Sequence, residues 1–221
     1  MDTRKYLAEL VGTFVFMATG YLSFAAFGAA GMDSGLLVVP FAFGLGLLAA
    51  VFAFGHISGG HFNPAVTVGM VLDGRTTPVD AVGYIVAQII GAIAAAAVVL
   101  VAVSQDAVKA GITAPGGGVT DIGALIIEVV MTAGFLAVIL ASTKRAPALA
   151  PLAIPLTLVG IHFASATLSG ASVNPARSIG SALVGGDLSV IWIYLVGPVV
   201  GAAIGWAAWR IVDGGGEAEA A

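Results

Sequence analysis

Ser58-Gly59-Gly60-His61-Phe62-Asn63-Pro64-Ala65 and Ser169-Gly170-Ala171-Ser172-Val173-Asn174-Pro175-Ala176 carry one pattern twice, 111 residues apart. In each, small residues lead into Asn-Pro-Ala. Proline fits the first turn of a helix, where its missing N–H needs no partner, and asparagine is a strong N-cap. Asn63 and Asn174 are therefore expected to open short helices that run on through Pro64-Ala65 and Pro175-Ala176. The stretches around them, near 56–73 and 168–187, are too short to span a bilayer and too apolar for water. That is the profile of a re-entrant segment.

The rest of the chain is built for lipid. Of its 221 residues 59% are hydrophobic and 9% charged, against about 25% charged in an ordinary soluble domain. Its mean hydropathy is +1.08. A net charge of −4, with no basic run longer than two residues, excludes nucleic acid as a partner. There are no cysteines, so disulfides, thiolate metal sites and cysteine nucleophiles are excluded. No metal or cofactor is expected. Six segments reach the roughly 20 apolar residues that a spanning helix needs, near 6–27, 36–55, 81–103, 121–142, 149–167 and 189–212. The first is too long for a signal-peptide core and carries Glu9, so it reads as a span. Charges and turn formers fill the breaks, as at Met32-Asp33-Ser34, Asp73-Gly74-Arg75 and Thr143-Lys144-Arg145-Ala146-Pro147. The tail 213–221 is expected to be disordered.

The repeat extends beyond the two motifs. Glu9 and Thr13 match Glu128 and Thr132, and Tyr84, Ala87, Gly91 and Ala95 match Tyr194, Gly197, Gly201 and Gly205. One membrane domain thus has two halves, 1–110 and 111–212. Each holds three spans, an odd number, so the second half enters the membrane upside down. The Asn-Pro-Ala segments then dip in from opposite faces and meet near the midplane. Six of the eight Lys and Arg residues lie in loops on one side, Arg4, Lys5, Arg75, Lys144, Arg145 and Arg210, which places both termini in the cytoplasm.

Two helix N-termini meeting end to end disfavour a cation twice, while the asparagine amides can donate to a neutral molecule. The backbone before each asparagine must be non-helical, which is acceptable inside a membrane only where it lines a wet cavity. Gly59, Gly60, His61 and Phe62, and Gly170, Ala171, Ser172 and Val173, are expected to offer a ladder of carbonyl acceptors. The small residues of the third and sixth spans read as close-packing faces. Charges inside spans cost about 2.5–3.5 kcal/mol each. Glu9 and Glu128, at matching places, are expected to accept hydrogen bonds from buried loop N–H groups, with proton carriage as the other reading. Arg177 stands where the first half has Val66, and a residue that breaks the repeat beside the pore is expected to be functional. His56 and His61 are expected to hold the first loop, and His162 to face the outer mouth.

These residues resemble the aquaporin family of major intrinsic proteins, water-selective bacterial members above all. The match runs from Ala8-Glu9-Leu10-Val11-Gly12-Thr13 to the sixth span. Its diagnostic motifs are Gly55-His56-Ile57-Ser58-Gly59-Gly60-His61-Phe62-Asn63-Pro64-Ala65-Val66-Thr67 and Ser172-Val173-Asn174-Pro175-Ala176-Arg177-Ser178. The resemblance implies an all-α membrane fold of six spans and two re-entrant half-helices, one pore per subunit and a homotetramer in the cell membrane. It also implies a selectivity filter formed by Phe43, His162, Ala171 and Arg177. Ser178 and Ala182 stand where glycerol facilitators tend to have Asp and a basic residue. Ala171 is small where water channels commonly have Thr or Cys, and Leu195 follows Tyr194 where they often have Trp.

The function expected is passive, single-file conduction of water with exclusion of protons and ions. A broader channel passing glycerol, urea or hydrogen peroxide is the alternative. A secondary transporter would share the broken helices, but no carboxylate pair beyond Glu9 and Glu128 offers a coupling-ion site. An enzyme is not expected, because no nucleophile–base or metal-ligand cluster is present.

Overall fold

A computed structural model describes residues 3–28 and 35–214. The break at Met32-Asp33-Ser34 and residues 215–221 of the tail lie outside the described residues. Six helices are long and apolar enough to cross a membrane: α1 (Arg4–Ser23, widening to a π turn over Phe24–Gly28), α2 (Gly35–Ser58), α4 (Pro78–Ala102), α6 (Asp121–Arg145), α7 (Ala150–Ser169) and α9 (Ile191–Val212). Two half-length helices, α3 (Pro64–Leu72) and α8 (Pro175–Gly185), follow α2 and α7. No strand occurs among the described residues. The expected boundaries hold to within a few residues. The short helix α5 (Gln105–Ala110) was not expected, because six residues carry too little periodicity to register.

Helix starts follow from local chemistry. Thr77, Ser104 and Thr120 cap α4, α5 and α6 by accepting from the N–H groups of Asp80, Ala107 and Gly123, each at 3.1 Å. Gly170 and Gly186, at φ +85° and +86°, close α7 and α8 in the left-handed conformation that glycine adopts without a Cβ penalty.

Close packing rests on the small residues. A Cβ added to Gly91 of α4 would lie 2.4 Å from the Leu10 carbonyl oxygen of α1. One added to Gly201 of α9 would lie 2.4 Å from the Val129 oxygen of α6. Glycine at both places lets backbone meet backbone, the means by which helices associate where no hydrophobic force acts between them. Buried α1 residues Ala8, Glu9, Gly12, Thr13, Phe16, Met17, Gly20 and Tyr21 form one helical stripe, and large apolar residues such as Leu7, Leu45, Phe52, Ile126 and Leu156 are exposed on the outside, where lipid is the solvent.

The loop charges converge at one end. Arg75 Nη1 donates to Thr143 Oγ1 at 2.6 Å. Lys144 and Arg145 both pair with Asp213, and Lys5 pairs with Asp80 at 2.7 Å. The chain is a multi-pass membrane protein whose basic loops share one face.

Candidate functional site

The two half-helices meet at their N-termini. Asn63 Oδ1 accepts from the Ala65 N–H at 2.9 Å. Asn174 Oδ1 accepts from Ala176 and Arg177 at 3.0 and 3.3 Å. Capping with the oxygen turns each amide nitrogen outward, and the two asparagines then stitch the halves together. Asn63 Nδ2 donates to the Val173 carbonyl at 2.8 Å, and Asn174 Nδ2 donates to the Phe62 carbonyl at 2.9 Å. An amide nitrogen carries two N–H groups, so one on each asparagine remains for an occupant.

The loops before the asparagines are strained. Phe62, Ala171 and Val173 hold φ of +48°, +46° and +44°, a region that non-glycine residues enter at a cost. Buried carboxylates hold them there. Glu9 Oε1 accepts from Ser58 Oγ (2.6 Å) and the His61 N–H (2.9 Å). Its Oε2 accepts from the Phe62 N–H and Gln88 Nε2, each at 2.7 Å. Glu128 Oε1 accepts from Ser169 Oγ (2.8 Å) and the Ser172 N–H (2.9 Å), and Oε2 from the Val173 N–H (2.7 Å). The phenol groups of Tyr84 and Tyr194 donate to the Ser58 and Ser169 carbonyls, both at 2.7 Å, and so tie down the last residue of α2 and of α7.

A cavity of about 50 Å³ runs past the crossed asparagines. At roughly 10–15 Å³ of such volume per water, it holds a short file of waters. Gly59, Gly60, His61, Asn63, Ser172, Asn174 and Arg177 contribute polar lining, and Phe16, Leu47, Val66, Phe135, Ile139 and Leu158 apolar lining. At one end the Phe43 and His162 rings stack at 4.8 Å between centroids, and Arg177 Cζ lies 5.4 Å from the Phe43 centroid. Arg177 is buried and donates from Nη1 to the Gly111 carbonyl at 2.7 Å. His162 Nδ1 lies 2.9 Å from the Leu158 carbonyl. A carbonyl accepts only, so Nδ1 carries the proton, and Nε2 of the neutral ring is an acceptor. His162 Nε2 and Arg177 Nε have no partner among the described residues, which leaves one acceptor and one donor for an occupant. At the other end Gly59, Gly60, Thr143 and Ile154 are shared with a wider vestibule of about 340 Å³.

Residues 1–209 match the major intrinsic protein family. The chain belongs to that family. It is 41% identical over 233 residues to an aquaporin Z of Rhodopseudomonas palustris, covering 96% of this chain and 95% of the relative. It is 42% identical over 226 residues to an aquaporin Z of Photorhabdus laumondii, covering 95% and 97%. The crystal structure of the aquaglyceroporin from Plasmodium falciparum superposes with a TM-score of 0.88 at 22% identity, over 96% of this chain and 97% of that one. This last likeness establishes the fold alone.

In this member of the major intrinsic protein family, most of the expected site residues come together and some do not. Phe43, His162 and Arg177 share one end of the cavity, whereas Ala171, in the loop before Asn174, does not line it. Of the expected carbonyl ladder, Gly59, Gly60, His61, Ser172 and Val173 line the cavity. Phe62 and Gly170 do not. The Phe62 carbonyl accepts from Asn174 just as the Val173 carbonyl accepts from Asn63, and Gly170 ends α7. His61 bonds Thr67 Oγ1 through Nδ1 at 3.1 Å and helps fix its loop. His56 is exposed on the vestibule wall and stands apart from the hydrogen bonds that hold the loop. Sequence reasoning missed Gln88, Thr67 and Gly111. Tyr84 and Tyr194 recur at matching places in the sequence, and that recurrence is the available signal of a shared task.

Proposed function

We propose that this chain is a passive water channel that conducts water in single file and turns back protons and ions. The carrying observation is the pair of crossed asparagines, each with one amide N–H left for an occupant, beside a narrow cavity lined by both polar and apolar residues. A helix N-terminus behaves as about half a positive charge, so α3 and α8 together disfavour a cation at their junction. A water passing there accepts from Asn63 and Asn174, which favours its hydrogens pointing away along both arms of the file and interrupts a proton wire.

Phe43, His162 and Arg177 form the selectivity filter in this reading. The arginine supplies fixed donors and a charge that repels cations, and the stacked rings narrow the opening. His162 also removes apolar wall that the carbon chain of glycerol would need. The aquaporin Z relatives support a water channel rather than an enzyme. The remaining proposals are an inverted repeat of residues 1–110 and 111–212, a homotetramer in the cell membrane, and both termini in the cytoplasm. The last rests on the basic residues gathered at one end.

Stopped-flow light scattering on proteoliposomes tests the reading. Vesicles challenged with sucrose shrink much faster than protein-free ones, while challenge with glycerol or urea shows little solute entry. Comparable glycerol and water permeabilities make the chain a broader channel, and flux that saturates and follows an ion gradient makes it a transporter.

A further inference from the structure

We infer that Tyr21 and Phe24, on the outer turn of α1, are positioning residues that set the solute cutoff of the channel by holding Arg177, Phe43 and the Gly111 carbonyl in register. The inference rests on the filter reading given above and goes one shell outward from it.

Tyr21 is 3% exposed, and its hydroxyl donates to the Arg177 carbonyl at 2.5 Å. That carbonyl belongs to the first turn of α8, so the bond fixes the backbone from which the guanidinium reaches out. The Tyr21 ring also meets the Phe43 ring edge-on, with centroids 6.4 Å apart. Phe24 meets Phe43 edge-on at 6.0 Å, and its centroid lies 5.8 Å from Arg177 Cζ. The guanidinium therefore has two rings within cation–π range, Phe43 and Phe24.

The third element is the acceptor. Gly111 supplies the carbonyl that takes Arg177 Nη1, and a Cβ built on Gly111 would lie 3.5 Å from Phe24 and 3.7 Å from Tyr21. The loop that presents this carbonyl thus rests against both rings. Gly20 completes the turn, since a Cβ there would fall 2.3 Å from the Phe43 ring. One turn of α1 accordingly touches the arginine and the ring beside it, and lies next to the residue whose carbonyl orients it.

General core filling does not account for this choice of residues. In the register that pairs Glu9 with Glu128 and Thr13 with Thr132, Tyr21 and Phe24 pair with Leu140 and Thr143. Leu140 fills its place in the core, fully buried, with no hydroxyl. The aromatic pair departs from the repeat in the half that faces Arg177, the residue that departs from it in the other half. Phe24 also begins the π turn over Phe24–Gly28, a local widening often found at functional positions.

The test compares Tyr21→Phe, Phe24→Leu, Arg177→Val and Tyr21→Phe/Arg177→Val in proteoliposomes, reading the urea-to-water and glycerol-to-water permeability ratios. Tyr21→Phe removes one oxygen and keeps the ring, and it raises the ratios about fivefold, the factor that one lost buried hydrogen bond produces. Phe24→Leu raises them too, and the double variant matches Arg177→Val alone. The inference is overturned if Arg177→Val raises the ratios while Tyr21→Phe and Phe24→Leu leave them unchanged. Lowered water flow per protein at unchanged ratios also overturns it, because that is the mark of a merely structural role. Unchanged ratios in Arg177→Val itself remove the filter reading and the inference with it.

Discussion

Glu128→Gln separates a structural carboxylate from a proton carrier. Each oxygen of Glu128 holds one backbone N–H of the strained loop, Oε1 that of Ser172 and Oε2 that of Val173. A glutamine has one acceptor oxygen and one NH2 group, so one of these N–H groups faces another donor whichever way the amide turns. A stranded buried donor costs about 1–3 kcal/mol, and turning the surviving charge-assisted bonds into neutral ones removes about 1 kcal/mol more. The expected loss is about 2–4 kcal/mol, next to Val173 at φ +44°, which depends on that bond to stay in place. Glu9→Gln behaves alike, since its two oxygens divide the His61 and Phe62 N–H groups in the same way. Denaturant unfolding in detergent micelles measures the loss. Glutamine is the nearest neutral mimic of a protonated glutamic acid, though it has one more donor and one fewer accepting atom, so a carboxyl that rests protonated would tolerate the change far better than one that holds both N–H groups as a carboxylate. A loss below about 0.5 kcal/mol in both variants, within the range of ordinary surface substitutions, refutes the acceptor role.

Gly91→Ala and Gly201→Ala each drive a methyl group onto a helix backbone 2.4 Å away and are expected to cost about 1–3 kcal/mol or more. Gly134→Ala, with nothing within 4 Å of the added carbon, is neutral or stabilising by the same unfolding assay. Asp213 is held below the usual carboxylate range by hydrogen bonds from Lys144 and then Arg145. A depressed pKa contributes stability above the ordinary value of about 4 and loses it as pH falls through the folded value. The melting-temperature gap between the native protein and Asp213→Asn therefore shrinks below about pH 4, and a gap that widens on acidification contradicts the pairing. His162→Ala removes one of the stacked rings and with it the ring-nitrogen acceptor, and it raises glycerol permeability by about tenfold if the ring contributes one pocket-size discrimination. Unchanged glycerol entry places the constriction elsewhere.

The spans and the half-helices were legible because length, hydropathy and Asn-Pro are local signals. The equivalence of Glu9 and Glu128 was legible because buried charge is rare and recurs here at matching places. Other features depended on what the chain meets after folding. Ala171 and Phe62 sit in the strained loops before the asparagines, yet of the three left-handed residues there only Val173 lines the cavity, a distinction that depends on the folded loops and leaves no mark in the sequence. Gln88 donates to both Glu9 and Thr67 Oγ1, but in the repeat its counterpart is Pro198, so recurrence could not point to it. The role of Gly111 is carried by a backbone carbonyl, which leaves no side-chain trace. His56 looked like its neighbour His61 in sequence, and only the turn at Gly59 and Gly60, at φ +91° and +67°, sends one inward and leaves the other at the vestibule.

The central claim is that water crosses where protons do not. Water and proton flux measured on the same proteoliposomes, by light scattering under a sucrose gradient and by an entrapped pH dye under a pH gradient, test it most directly. The account predicts water permeability far above that of protein-free vesicles, with the weak temperature dependence of an open pore, and proton flux equal to that of protein-free vesicles. Proton flux that rises with the amount of protein, in step with water flux, would contradict it.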